Sequence, residues 1–176
     1  PTMVGVSHAP DLAEERVWLA GVLTRQIPLG SAMRLSIERL DPAGVLLAAP
    51  LEPNINDKGT AFGGALVSMM ILAGWSLPRL LLRRARCDAD LVIGRCEVRF
   101  LKPVRGPVRA ECDWPDEPRC AEFMDDLEHN SKAALTLVPR LCTVDGAVAA
   151  TLEARYAALA GPDARSGSPE SSGGMR

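Results

Sequence analysis

Apolar and polar positions change period several times along this chain. Residues 11–25, DLAEERVWLAGVLTR, place Leu12, Val17, Leu19, Ala20, Val22 and Leu23 among charged neighbours. That spacing predicts an amphipathic helix with Asp11 as its N-cap, stopped by Pro28 and Gly30. In 31–40, SAMRLSIERL, the period drops to two: Met33, Leu35 and Ile37 alternate with Arg34, Ser36 and Glu38. This predicts a half-buried strand. A turn at 41–44 leads into a second, almost wholly apolar strand, GVLLAAPLEP.

The pattern then changes abruptly. From Gly59 to Pro78 no residue is charged, although Asn54, Asn56, Asp57 and Lys58 come just before. We expect a long helix over 60–77, with Pro78 ending it or opening a short helix through PRLLLRRA. The stretch is long enough to be tested as a membrane span, but four glycines, Thr60, Ser68, Ser76 and the proline dilute it. Alternating strands on both sides favour a helix buried within a sheet.

Period two returns in VIGRCEVRFL and in VRAECDW, where Val108, Ala110, Cys112 and Trp114 alternate with Arg109, Glu111 and Asp113. PDEPRCAEFMDDLEHN reads as a loop with a short acidic helix. KAALTLVPRLCTV and AVAATLEARYAAL predict two strands joined at Asp145-Gly146, a hairpin signal. The expectation is an α+β domain over 11–160, with six strands in a mostly antiparallel sheet. It has an N-terminal extension over 1–10 and a disordered tail over 161–176.

Composition narrows the function only by exclusion. The 176 residues carry a net charge of -2, which gives no global reason to expect nucleic acid or an anionic membrane as partner. The five cysteines form no CxxC pair and read as reduced thiols of a cytoplasmic protein, with no metal site. PTMVGVSHAPDLAEER lacks the basic and apolar regions of a signal peptide. No GxGxxG, P-loop or GxSxG motif is present.

The string Asn54-x-Asn56-x-Lys58-Gly59-Thr60-x-Phe62-Gly63-Gly64, with Phe100-Leu101-Lys102-Pro103 downstream, resembles hotdog-fold thioesterases. It is most similar to the family named for the YiiD C-terminal domain. The resemblance covers about residues 10–160. It implies a curved antiparallel sheet around a central helix, and activity on acyl-CoA or acyl carrier protein. Some members of that family are malonyl-ACP decarboxylases. Two departures stand out: no acid lies in ALVSMMILAGW, where many hotdog thioesterases carry one, and Phe62 replaces the usual histidine.

On this reading the catalytic candidates are Asn56, Asp57 and Asn54. Gly63, Gly64 and Thr60 would bind the thioester at the positive end of the helix. Asn56 matches the family asparagine. Asp57 would act as a base only if apolar surroundings raised its pKa. Arg83, Arg84 and Arg86 are candidate contacts for CoA or a carrier protein, as are Arg95, Arg99, Lys102 and Arg105. Each also has a plain structural explanation as turn, cap or solvated surface. No cofactor is expected beyond the CoA or phosphopantetheine of the substrate. A homodimer, or a tetramer built from it, would cover the rest of the apolar helix. Thioester hydrolysis is the first expectation. Decarboxylation of malonyl-ACP is the alternative, and a non-catalytic acyl-binding or dimerisation module the second.

Overall fold

The computed structural model describes residues 10–161. The proposed extension, the proposed tail and His8 therefore lie almost wholly outside the described residues. Asp11 caps the first helix, α1 (Leu12–Gly21), its Oδ1 accepting from the N–H groups of Ala13 and Glu14. A five-residue π turn, Val22–Gln26, follows. Instead of continuing to a strand, the chain forms a second short helix, α2 (Pro28–Ala32), with proline in its first turn. The strand expected over 31–40 is correspondingly shorter: β1 covers Ser36–Leu40 and pairs with β2 (Gly44–Ala49).

A 3-10 turn, Glu52–Asn54, precedes the central helix α3 (Gly63–Arg84). α3 starts three residues later than expected and runs straight through Pro78. Proline lacks an N–H, so Pro78 leaves one carbonyl of the preceding turn without its usual helix bond. The chain returns through β3 (Ala89–Phe100) and β4 (Val108–Asp113). The acidic segment forms a full helix, α4 (Glu117–Asn130), capped by Asp116 and buried through Phe123 and Leu127. The expected strand 132–144 is two strands, β5 (Lys132–Leu137) and β6 (Arg140–Cys142), divided at Val138-Pro139 because proline cannot donate to a ladder. The Asp145-Gly146 turn leads as expected into β7 (Val148–Ala160).

The sheet thus has seven strands, ordered β1-β2-β4-β6-β7-β3 with β5 also on β7, every pair antiparallel. Its inner face closes on α3, which packs on β2, β4 and β7. Val108, Ala110 and Cys112 point into this core as their alternation predicts. Arg140 lies between Glu111 and Asp113 on the outer face, at 2.7 and 2.8 Å. Helix and sheet meet most tightly at Gly74. A Cβ there would overlap the ring of Tyr156, whose hydroxyl donates to Ile71 O at 2.8 Å.

α3 is long and apolar enough to cross a membrane by composition, but the sheet buries most of it. β3 departs from expectation. As an edge strand it exposes both faces over most of its length, including Val92, Ile93 and Phe100. A curved antiparallel sheet wrapped around one long apolar helix is the hotdog fold.

Candidate functional site

The loop before α3 is ordered by its own polar side chains. Asn56 Oδ1 accepts from the N–H groups of Lys58 and Thr60 at 2.8 and 3.1 Å, and its Nδ2 donates to Thr60 Oγ1 at 2.8 Å. Both lone-pair sites of Oδ1 and one of the two Nδ2 hydrogens of Asn56 are therefore used inside the turn. Thr60 does not cap α3: it faces Asn56, and Phe62 occupies the cap position without any side-chain bond. Asp57 lies in solvent, with its side chain 82% exposed and 3.1 Å from Lys58 Nζ. The apolar surroundings required of a base are absent there.

Asn54 is the asparagine that faces inward. It is 3% exposed, and its Nδ2 donates to Pro50 O at 2.8 Å and to Met33 O at 3.1 Å. Those two bonds fix which end of the amide is which. Asn54 Oδ1 is left buried with no partner, and no other described side chain has a buried polar atom so placed. An orphaned acceptor costs about 1–3 kcal/mol unless a ligand or water fills its need.

Asn54 lines a cavity of about 330 Å³ at the start of α3. α2 and the residue after it form one wall, and the first turns of α3 form the other. None of the ten lining residues is charged. The only polar side chains are Asn54 and Ser68, and the Ser68 hydroxyl is donated to Gly64 O at 2.8 Å. The cavity thus has no free side-chain donor.

Its free donors are on the backbone. Among the described residues, no acceptor meets the N–H groups of Gly63, Gly64 or Ala65; the first helical bond runs from Leu66 N to Phe62 O. No acid lies in the first turn to offset the helix dipole. Gly63 and Gly64 therefore stand where the thioester contacts were expected.

Two larger clefts, of about 500 and 450 Å³, lie by the other end of α3. The smaller cavity is the better candidate because Asn54 Oδ1 and the first-turn N–H groups of α3 are unpaired there. The arginines expected to meet CoA are at that other end too, about 30 Å along a 22-residue helix. Arg83 bonds Glu14 at 2.6 Å and lies over Trp18. Arg84 makes two 2.8 Å bonds to buried Glu15 and lies over Trp114. Both arginines tie α3 to its neighbours, and Arg86 stands beyond the helix with a left-handed φ of 51°. His129 is on exposed α4, 2.9 Å from Asp125 O. Among the described residues, no group of three His, Cys, Asp or Glu could hold a metal.

A sheet-wrapped helix whose uncapped first turn faces an apolar cavity defines a hotdog protein of the thioesterase type. The chain belongs to the YiiD_C family, described as "Putative thioesterase (yiiD_Cterm)", which it matches over residues 17–160. Among solved structures, a Chlorobaculum tepidum protein of unknown function is 30% identical, with TM-score 0.81, covering 85% of this chain and 97% of its own. A Shewanella oneidensis protein carrying the same thioesterase description is 26% identical, with TM-score 0.75, covering 84% of this chain and 99% of its own. A Pseudomonas aeruginosa protein at 24% identity shares the fold, with TM-score 0.69, over 82% of this chain and 95% of its own.

Proposed function

We propose that this cavity processes acyl thioesters of CoA or a carrier protein, and that decarboxylation of a malonyl thioester is the reaction its geometry supports best. The observation that carries this is the separation of donors. Gly64 and Ala65, whose first-turn N–H groups meet no acceptor, line the cavity, and no lining side chain offers a free donor.

A malonyl thioester carbonyl set on Gly63 and Gly64 N–H would be polarised, and the enolate oxygen formed from it stabilised. The substrate carboxylate beside Asn54 and the apolar wall would lose its hydration and gain no side-chain donor. Breaking the bond between the α-carbon and the carboxylate releases neutral CO2. The electron pair passes to the enolate, and the α-carbon then takes a proton from water, leaving an acetyl thioester. No base is needed to begin.

Hydrolysis is the second reading, supported by the family description and by Asn54 Oδ1, which could accept from a water. It needs a base, and the nearby acids Glu52 and Asp57 are both exposed and outside the cavity lining. We further propose a homodimer formed through β3, because a twelve-residue edge strand with exposed Val92, Ile93 and Phe100 invites pairing. The five free thiols fit a reducing compartment.

The test is mass spectrometry of malonyl-CoA and malonyl carrier protein after incubation with the chain. Acetyl thioester as the product supports decarboxylation, whereas free thiol without acetyl thioester establishes hydrolysis. Asp57→Asn should leave decarboxylation within about twofold, while removal of a hydrolytic base would cost about 10²–10⁴-fold. Saturable binding without turnover of either kind would leave a non-catalytic acyl-binding module.

A further inference from the structure

The wall facing the first turn of α3 is built with unusual constraint. α1 ends in the π turn, and α2 folds back onto it so closely that a Cβ at Gly30 would overlap the carbonyl of Leu23. The other end of α2 is also fastened. Leu35 N donates to Gly30 O at 2.9 Å, Arg34 takes a left-handed φ of 54°, and Asn54 Nδ2 holds Met33 O. α2 thus cannot shift without disturbing Asn54. Together with the residue after it, α2 contributes Leu29, Ala32 and Met33 to the cavity. Met33 is 3% exposed and belongs to the core, while Leu29 is 51% exposed at the rim.

We propose that α2 is an acyl-size filter, in which Met33 closes the inner end of the cavity and Leu29 narrows its rim. The inference rests on the cavity taking acyl thioesters, and it holds for either reaction. A clamped wall cannot retreat from a longer chain, so size selection is sharp. Each methylene that fits raises affinity about fourfold. The first that meets Met33 gains nothing, or loses affinity through overpacking.

The experiment is calorimetric titration of the full chain with S-alkyl thioethers of CoA and of pantetheine, which carry no reactive carbonyl. Affinity should climb with chain length and then break. Met33→Ala should move the break outward by about two methylenes, the room its lost side chain leaves. Leu29→Trp, at a half-exposed position that tolerates substitution, should move it inward. A break unchanged in both variants overturns the filter while leaving short-chain binding, and so the cavity reading, intact. No saturable binding of any thioether on either carrier removes the filter and the cavity reading together. A break that shifts as expected, with no turnover of any thioester, keeps the filter and removes only the catalytic reading.

Discussion

The two ends of α3 follow opposite rules. At its C-terminal end both arginines of the last turn have partners: Arg83 meets Glu14, Arg84 meets Glu15, and the rings of Trp18 and Trp114 lie under their guanidinium groups. Cations at a helix C-terminus also complement its dipole. At its N-terminal end three N–H groups and the Asn54 oxygen are left unmatched beside an apolar cavity. One helix thus carries both an end whose polar groups are matched and an end whose polar groups are not. Volume alone would have directed attention to the matched end, where the larger clefts are.

The largest expected effect comes from removing one unmatched donor without disturbing the helix. Gly63→Pro does this, because proline is favoured at the first helical position and the preceding Phe62 is already extended. Turnover should fall about 10²–10³-fold with little change in melting temperature. A loss of activity that tracked a loss of stability would mean that the first turn matters only for folding.

The complementary change is Glu15→Ala. It should destabilise the chain by about 2 kcal/mol, since it strips Arg84 of both hydrogen bonds at a buried acid. Melting temperature should drop about 4–8 °C, with turnover per folded molecule unchanged. A clear loss of turnover would show that the two ends are coupled.

The smallest effect concerns Cys120, which lines the cleft beside Arg84 and Trp114. Burial, reinforced by Asp116, pushes its thiol above the ordinary value of 9.0. The folded chain therefore holds that proton more tightly than the unfolded one. Its contribution to stability is complete below pH 9 and is lost as pH rises through the folded value. Alkylation at pH 8 should be slower at Cys120 than at exposed Cys96, and Glu15→Ala should narrow the gap severalfold. Equal rates in the unaltered chain would mean that this end is not sealed.

Much of the fold was legible because period and turn chemistry agreed. Asp11 capped its helix, Asp145-Gly146 made its turn, and the uncharged stretch after Lys58 became the buried helix. The failures share a cause. Met33, Leu35 and Ile37 alternate as a strand should, yet Pro28 and the close seat of Gly30 hold the chain helical through Ala32. Tertiary packing overrode local period there. Pro28 at a helix start was the available signal, and missing it hid the cavity wall.

The site was legible by segment but not by residue. Sequence similarity favours Asn56 over Asn54, but the fold buries Asn54 and uses Asn56 in a turn. Arg83, Arg84 and Arg86 read as a basic patch because nothing in the sequence brings Glu14 and Glu15 to two of them.

One consequence of the topology concerns synthesis. β7, the last described strand, pairs with β3, β5 and β6. α3 ends at Arg84 and β7 at Ala160, so the helix leaves the ribosome well before the sheet that covers it can close. At ordinary translation speeds that interval is roughly 4–15 s. At its start, of the three strands that α3 packs on most extensively, only β2 has been made; β4 follows and β7 comes last. The window in which the nascent chain exposes apolar surface is therefore set by how late its final described strand is made.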